Sequence, residues 1–298
     1  MDIVGLGYVG VSSPNYKAWL EHGPEVFGFG LGETGEDETV YLRMDSRRYR
    51  IAIHPGETNH LEYIGWELKG RRSFEAALRT LEENDVEFTV GDDALRAARG
   101  VHEVAQFKDP AGLPHEIFFG QAFHSHSFVP GRAMDGFVGD DLGMGHIVVA
   151  TPEYGAELED FLFNVLGFTW FGYGAIRGGT GFFRAPLNPR SHVIGYINVP
   201  GHRGLHHLGI EVNALDDVGV AWDRAQEREA PIMFTLGRHI QDPVVSFYSF
   251  TPSGFVVEYL TGGFQIPDAD FVEENPEQLS VWGHKPVTMS LPDTIEPI

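Results

Sequence analysis

The sequence predicts an α+β protein of tandem βαβββ modules paired into two similar domains. Three observations carry this. The chain repeats itself at a spacing near half its length. Each half orders its elements as strand, helix, strands, then strand, helix, strands. A Pro- and Gly-bearing stretch separates the halves. At 298 residues the chain is long for one core and comfortable for two.

The elements follow in order. Residues 7–14, GYVGVSSP, and 145–152, GHIVVATP, are β-rich runs 138 residues apart. Each leads into a helical stretch, Tyr16 to Val26 and Tyr154 to Val165, followed by a Gly-Phe pair, Gly28-Phe29 and Gly167-Phe168. Glycine suits the position after a helix, where φ turns positive. LEYIGWEL (61–68) parallels HHLGIEV (206–212) with Gly65 set on Gly209, a separation of 144. Each precedes an amphipathic helix pattern, FEAALRTLEEN and VGVAWDRAQER. FKDPAGLPHEIF (107–118) parallels FTPSGFVVEYL (250–260), with their carboxylates 142 apart; in both, a Pro-X-Gly turn leads into a strand bearing that carboxylate. HSHSFVPGRAMDGF (124–137) reads as the linker, giving domains 1–135 and 136–298.

Composition narrows the function. Against 43 Asp+Glu stand 21 Lys+Arg, a formal charge of −22 that repels phosphate backbones and makes nucleic acid and anionic membrane poor partners. No apolar run approaches a bilayer span, and MDIVGLGYVG lacks the basic start of a signal peptide, so a cytoplasmic location is expected. The absence of cysteine excludes disulfides, thiolate catalysis and iron–sulfur clusters; any metal must be held by His and carboxylate. Gly5, Gly7 and Gly10 lie in a strand and lack the spacing of a nucleotide loop.

The repeat itself locates a site. Placed in register, Tyr8 of the first half becomes His146, Tyr63 becomes His207, and Glu116 remains a carboxylate as Glu258. A lone strand histidine is more often a surface or core residue than a ligand. Two imidazoles and one carboxylate at equivalent positions of a repeat are the donor set of non-haem iron(II) oxygenases. Glu258 lies in the apolar run FVVEYL, where an unpaired carboxylate is costly and a metal accounts for it. Adjacent His206 competes with His207. Strand alternation points the two to opposite faces, and the Gly65–Gly209 register selects His207. His124, His126 and His202 match no ligand position and are expected at the surface.

The segments YLRMD (41–45), LEYIGWEL (61–68), GMGHIVVAT (143–151), NPRSH (188–192), TLGRHIQDPVVSFY (235–248), TPSGFVVEY (251–259) and VWGH (281–284) are spread over the whole length of the chain. On these segments it resembles the type I extradiol ring-cleaving dioxygenases of the vicinal oxygen chelate superfamily. The resemblance implies Fe(II) held by His146, His207 and Glu258, and extradiol cleavage of a catechol by dioxygen. It implies His192 as the acid/base residue and His239 and Tyr248 as hydrogen-bond partners of the catechol oxygens. Asp242 is implied as a supporting acid. It also implies a homo-oligomer and a 3-substituted or bicyclic catechol. Val148, Phe182, Phe183 and Ile194 are expected as apolar wall residues. Arg184 offers an alternative, pairing with the carboxylate of a carboxylated catechol such as dihydroxycumate. Isomerases, epimerases and glyoxalase-like lyases of the same superfamily lack the His192, His239, Tyr248 set, and the intact His146, His207, Glu258 set argues against a metal-free binding protein.

Overall fold

The structure, a computed structural model, describes residues 1–33, 35, 37–173, 179–266 and 277–298. The first half carries β1 (Ile3–Ser13), β2 (Gly30–Leu31), β3 (Val40–Arg43), β4 (Ile51–Pro55), β5 (His60–Leu68), β6 (Phe88–Val90), β7 (Glu103–Lys108) and β8 (Pro114–Phe119). They pair in the order β2-β3-β4-β1-β5-β8-β7-β6. The second half carries β9 (His146–Thr151), β10 (Thr169–Tyr173), β11 (Thr180–Arg184), β12 (Ile194–Asn198), β13 (His202–Glu211), β14 (Ile232–His239), β15 (Val245–Phe250) and β16 (Val256–Thr261). Their order, β10-β11-β12-β9-β13-β16-β15-β14, repeats the first. Two late strands are added: β17 (Ser280–Trp282) beside β14, and β18 (Ile295–Pro297) beside β13.

Each sheet is two βαβββ units joined through their first strands. Within a unit the first and last strands run parallel, as in β1–β4, β5–β8, β9–β12 and β13–β16. Between units the first strands run antiparallel, β1 with β5 and β9 with β13. Strand alternation then sorts the side chains. Val9, Val11, Ile147, Val149, Leu208, Ile210, Val257 and Tyr259 enter one apolar core that both halves share. The residues between them face the opposite, curled side of each sheet. Cross-half bonds fix the two sheets together: Trp19 Nε1 donates to Ser253 Oγ (2.8 Å), Tyr259 Oη to Phe27 O (2.7 Å) and Tyr196 Oη to Asp109 Oδ2 (2.8 Å).

The two amphipathic helices form as predicted. Arg71–Glu83 buries Phe74, Ala77 and Leu81, and Leu215–Glu227 buries Val218, Ala221 and Ala225, both at helical spacing. The earlier helical stretches are broken rather than continuous. Tyr16–Ala18, Trp19–His22 and Gly23–Phe27 are 3₁₀, α and π turns, and Ala156–Asp160 passes into a π turn, Phe161–Val165. Gly28 and Gly167 take the positive φ that their positions demand, 80° and 76°. A helix not predicted, Asp93–Arg99, follows β6; the Asp92 carboxylate caps it by accepting from Leu95 N at 2.8 Å. The stretch predicted as a linker is fastened to both halves. Gly131 N bonds Gly28 O at 3.0 Å, and Arg132 bonds Asp217 O at 3.0 Å. Among the described residues no helix is long and apolar enough to cross a membrane.

Candidate metal centre

Three adjacent strands bring the predicted donors together. His146 opens β9, His207 lies in β13 and Glu258 in β16, and all three project to the curled face. His146 Nε2 stands 3.1 Å and His207 Nε2 3.7 Å from Glu258 Oε2. One donor atom from each lies within 4.8 Å of the others, so the set could hold a single ion. All three side chains are buried. Gly209 pairs with His146 on one side and Glu258 on the other; a Cβ there would come 2.0 Å from the His146 ring. Gly65 does the same for Tyr8, at 2.2 Å, which explains why these two glycines register the repeat.

The alternation argument for His206 needs correction. A β-bulge between Leu205 and His207 makes His206 the extra residue, so it does not simply face away. Its ring lies edge-on to His207, with the two Nδ1 atoms 2.8 Å apart. His207 nevertheless is the one whose Nε2 reaches Glu258. Burial pulls the His206 pKa down to about 4 and, with His206 beside it, holds His207 well below the usual histidine range. Both rings are thus neutral at pH 7. If His207 Nδ1–H donates to His206, its Nε2 keeps the lone pair a metal needs.

The electrostatics of the two halves differ at one point. Glu116 of the first half is buried and satisfied internally: Arg99 Nε and Nη2 each donate to it at 2.9 Å, Tyr8 Oη at 2.8 Å and Gln106 Nε2 at 2.9 Å. The same guanidinium lies 3.5 Å over the Tyr63 ring. Glu258 has no such cation among the described residues. Among the described residues its ion-pair partners are His146, His207 and His239, and Ser246 Oγ donates to it at 2.7 Å. Burial would raise the Glu258 pKa, but the hydrogen bonds and charges of His146 and His239 hold it well below the carboxylate range. A buried anion ringed by imidazoles fits a divalent cation, and the first half carries its cation in the chain. Arg99 was invisible to the repeat because the helix that delivers it has no counterpart before β15.

The other predicted residues gather around the cluster, with two exceptions. The His192 ring lies 4.2 Å from that of His146, stacked on Phe171 and edge-on to Phe182. Its loop is pinned by Asn188, which donates to Val4 O at 2.7 Å, and by Arg190, which pairs with Glu211. His192 Nδ1 is 3.0 Å from Ser191 Oγ, which donates to Asp242. The hydroxyl proton being committed to Asp242, His192 must donate from Nδ1, leaving Nε2 as a free base. Burial, then His146, lowers the His192 pKa well below its ordinary value. Burial raises that of Asp242. His239 Nε2 lies 2.8 Å from Tyr248 Oη and 3.2 Å from Glu258 Oε1. Burial alone would lower the His239 pKa; the Glu258 hydrogen bond and charge outweigh it and raise it. Burial keeps Tyr248 a neutral phenol, its pKa well above 10.

Val148 and Phe182 flank Gly195 on this same face. Phe183 and Ile194 do not reach it. Alternation along β11 and β12 turns both into the shared core, where Phe183 packs edge-on against Trp170, Phe163 and Tyr196. Arg184, two residues on from Phe182, shares the Phe182 side of β11. Phe171 was missed because nothing in TWFGY marks which aromatic faces inward. His126 is exposed, and His124 and His202 are half-buried away from the cluster.

Paired βαβββ domains with one buried two-histidine, one-carboxylate cluster define a mononuclear non-haem metal protein. Residues 6–56 match the family model "Dihydroxybiphenyl dioxygenase BphC D1", and residues 143–259 match "Glyoxalase/Bleomycin resistance protein/Dioxygenase superfamily". The chain is 33% identical to an iron-dependent extradiol dioxygenase of Rhodococcus jostii (strain RHA1), over 95% of this chain and 97% of that protein. It is 34% identical to the biphenyl-2,3-diol 1,2-dioxygenase of Paraburkholderia xenovorans (strain LB400), over 96% and 97%. To the 1,2-dihydroxynaphthalene dioxygenase of Sphingobium xenophagum it is 33% identical, over 88% and 89%. The crystal structure of BphC, a halotolerant catechol dioxygenase, superposes with a TM-score of 0.93 at 33% identity, over 99% of both chains. The chain belongs to the iron-dependent extradiol dioxygenases of the vicinal oxygen chelate superfamily.

Proposed function

We propose that the protein opens a bicyclic or 3-substituted catechol beside its hydroxyl pair, with His146, His207 and Glu258 holding iron(II). The carrying observation is that, among the described residues, Glu258 is a buried anion without a Lys or Arg partner, where its counterpart Glu116 has Arg99. When bound, iron(II) supplies a centre open to both catechol and dioxygen, and with it the electron transfer that spin conservation otherwise slows. The protein's own residues do the rest. Two neutral imidazoles and one carboxylate leave a divalent ion with one positive charge, which a catechol monoanion balances. His192, through Nε2, takes a proton from the reacting centre and returns it. Ser191 and Asp242 hold the His192 tautomer. His239 and Tyr248, on the far side of Glu258, donate to the catechol oxygens as charge develops. Val148, Phe171 and Phe182 present an apolar face to the substrate rings and exclude water.

The substrate class is supported by the relatives that cleave biphenyl-2,3-diol and 1,2-dihydroxynaphthalene. The test is anaerobic loading with Fe(II), then air and a panel of catechols, following the yellow ring-opened product. Colour with 2,3-dihydroxybiphenyl at a higher kcat/KM than with catechol is the expected result; no colour with any catechol refutes the reading. Arg184 carries a second reading, since it shares the Phe182 side of β11. A preference for a carboxylated catechol that disappears in Arg184→Ala would replace the bicyclic assignment. The family membership also supports a homo-oligomer, which light scattering on the purified chain tests, and a cytoplasmic location, which cell fractionation tests.

A further inference from the structure

His284, the last residue of the VWGH segment, has no role in the steps above, yet its surroundings are closely built. It is buried, and its φ is 44°, a left-handed conformation that histidine rarely adopts. Gly283 before it is also left-handed (φ 73°), and this turn folds the ring back against β14. There Gly237 makes room: a Cβ at that position would come 2.3 Å from His284 N and 2.5 Å from its ring. Thr235 holds the next residue through two bonds, its N to Lys285 O at 3.0 Å and its Oγ1 accepting from Lys285 N at 2.9 Å. The His284 ring lies 4.1 Å from that of His239, tilted by 34°.

The hydrogen bonds around the ring have one consistent direction. Ser246 Oγ gives its single proton to Glu258 Oε1 at 2.7 Å. His284 Nε2, 3.1 Å from both Ser246 Oγ and Ser246 O, therefore faces two acceptors and must be the donor. With Nε2 protonated, a neutral ring leaves Nδ1 as an acceptor, and Ser280 Oγ donates to it at 2.6 Å. Burial, then the neighbouring His239, lowers the His284 pKa to about 4, in keeping with a neutral ring. The chain Ser280→His284→Ser246→Glu258 thus runs from β17 to the carboxylate of the metal cluster. The same ring lies edge-on to Tyr248 at 5.7 Å, so it packs against both His239 and Tyr248.

We propose that His284 is a positioning residue for the iron centre: by donating to Ser246 it orients the Ser246 hydroxyl, which in turn fixes Glu258 Oε1 and leaves Oε2 to the metal. The inference rests on the iron reading above. Supporting bonds of this kind are worth about 10–100-fold in metal affinity. The experiment measures the rate at which Fe(II)-loaded protein gives up iron to an anaerobic chelator, together with the thermal midpoint of the metal-free protein. His284→Ala and Ser246→Ala should each release Fe(II) about 10–100-fold faster, with metal-free midpoints close to wild type. The double variant should be no faster than the worse single variant, because both act through one bond. His284→Gln, whose amide can still donate to Ser246, should restore most of the loss. Wild-type release from Ser246→Ala overturns the proposal, as does a double variant that multiplies the two effects. So does a His284→Gln protein that loses iron as fast as His284→Ala. If His284→Ala does not fold, Ser246→Ala and His284→Gln decide by the same criteria. A wild-type chain that binds no Fe(II) sinks the iron reading and this inference together. A wild type that binds iron and cleaves catechols, with variants that release it equally slowly, sinks this inference alone.

Discussion

Replacing Arg99 by methionine tests the contrast between the halves most directly. The variant keeps an apolar side chain of similar length but removes two charge-assisted bonds to Glu116 at 2.9 Å and the cation over the Tyr63 ring at 3.5 Å. Glu116, 1% exposed, would retain Tyr8 and Gln106 as its donors among the described residues. Breaking a buried ion pair by removing one partner costs about 3–5 kcal/mol, because the remaining charge is stranded. For a chain of 298 residues melting as one unit, where both halves share one core, each kcal/mol moves the melting temperature by about 1.6 °C. Calorimetry on the metal-free protein should therefore show Arg99→Met melting roughly 5–8 °C below wild type. Adding Glu116→Gln removes the stranded charge, so the double variant should recover most of the difference. A single variant within about 1 kcal/mol of wild type, or a double variant no better than the single, would refute the claim that Arg99 balances Glu116.

The remaining predictions concern the second half. His146→Ala, His207→Ala and Glu258→Ala should each lose iron while remaining folded, whereas wild type should hold one iron per chain by elemental analysis; full occupancy in His207→Ala would transfer the ligand role to His206. His192→Ala should retain iron and bind catechol but turn over at least ~100-fold more slowly in stopped-flow assays, the usual size of general acid–base catalysis. Phe182→Ala should raise KM for 2,3-dihydroxybiphenyl far more than for catechol. Phe183→Ala should instead cost about 3–5 kcal/mol of stability with little change in that ratio, since its ring fills the core. The opposite pattern would return Phe183 to the substrate wall.

Much of this was legible in the chain because duplication carries its own control. Comparing Tyr8 with His146 and Tyr63 with His207 isolates the residues that changed while the scaffold stayed, and strand periodicity then assigns them to one face. The two-domain α+β plan, the clustering of His146, His207 and Glu258, and the gathering of His192, His239 and Tyr248 around them follow from sequence alone, through the repeat and the family motifs. What tertiary structure alone decided lies where local periodicity carries no information. A bulge at His206 breaks the alternation used to dismiss it. The face of β11 that meets the site depends on its register with β12, so Phe182 and Phe183, neighbours in sequence, part to the site and the core. Arg99 and His284 come from a short helix and a left-handed turn, distant in sequence from the carboxylates they serve. Their importance arises from the cost of burying charge, and burial exists only once the chain has folded.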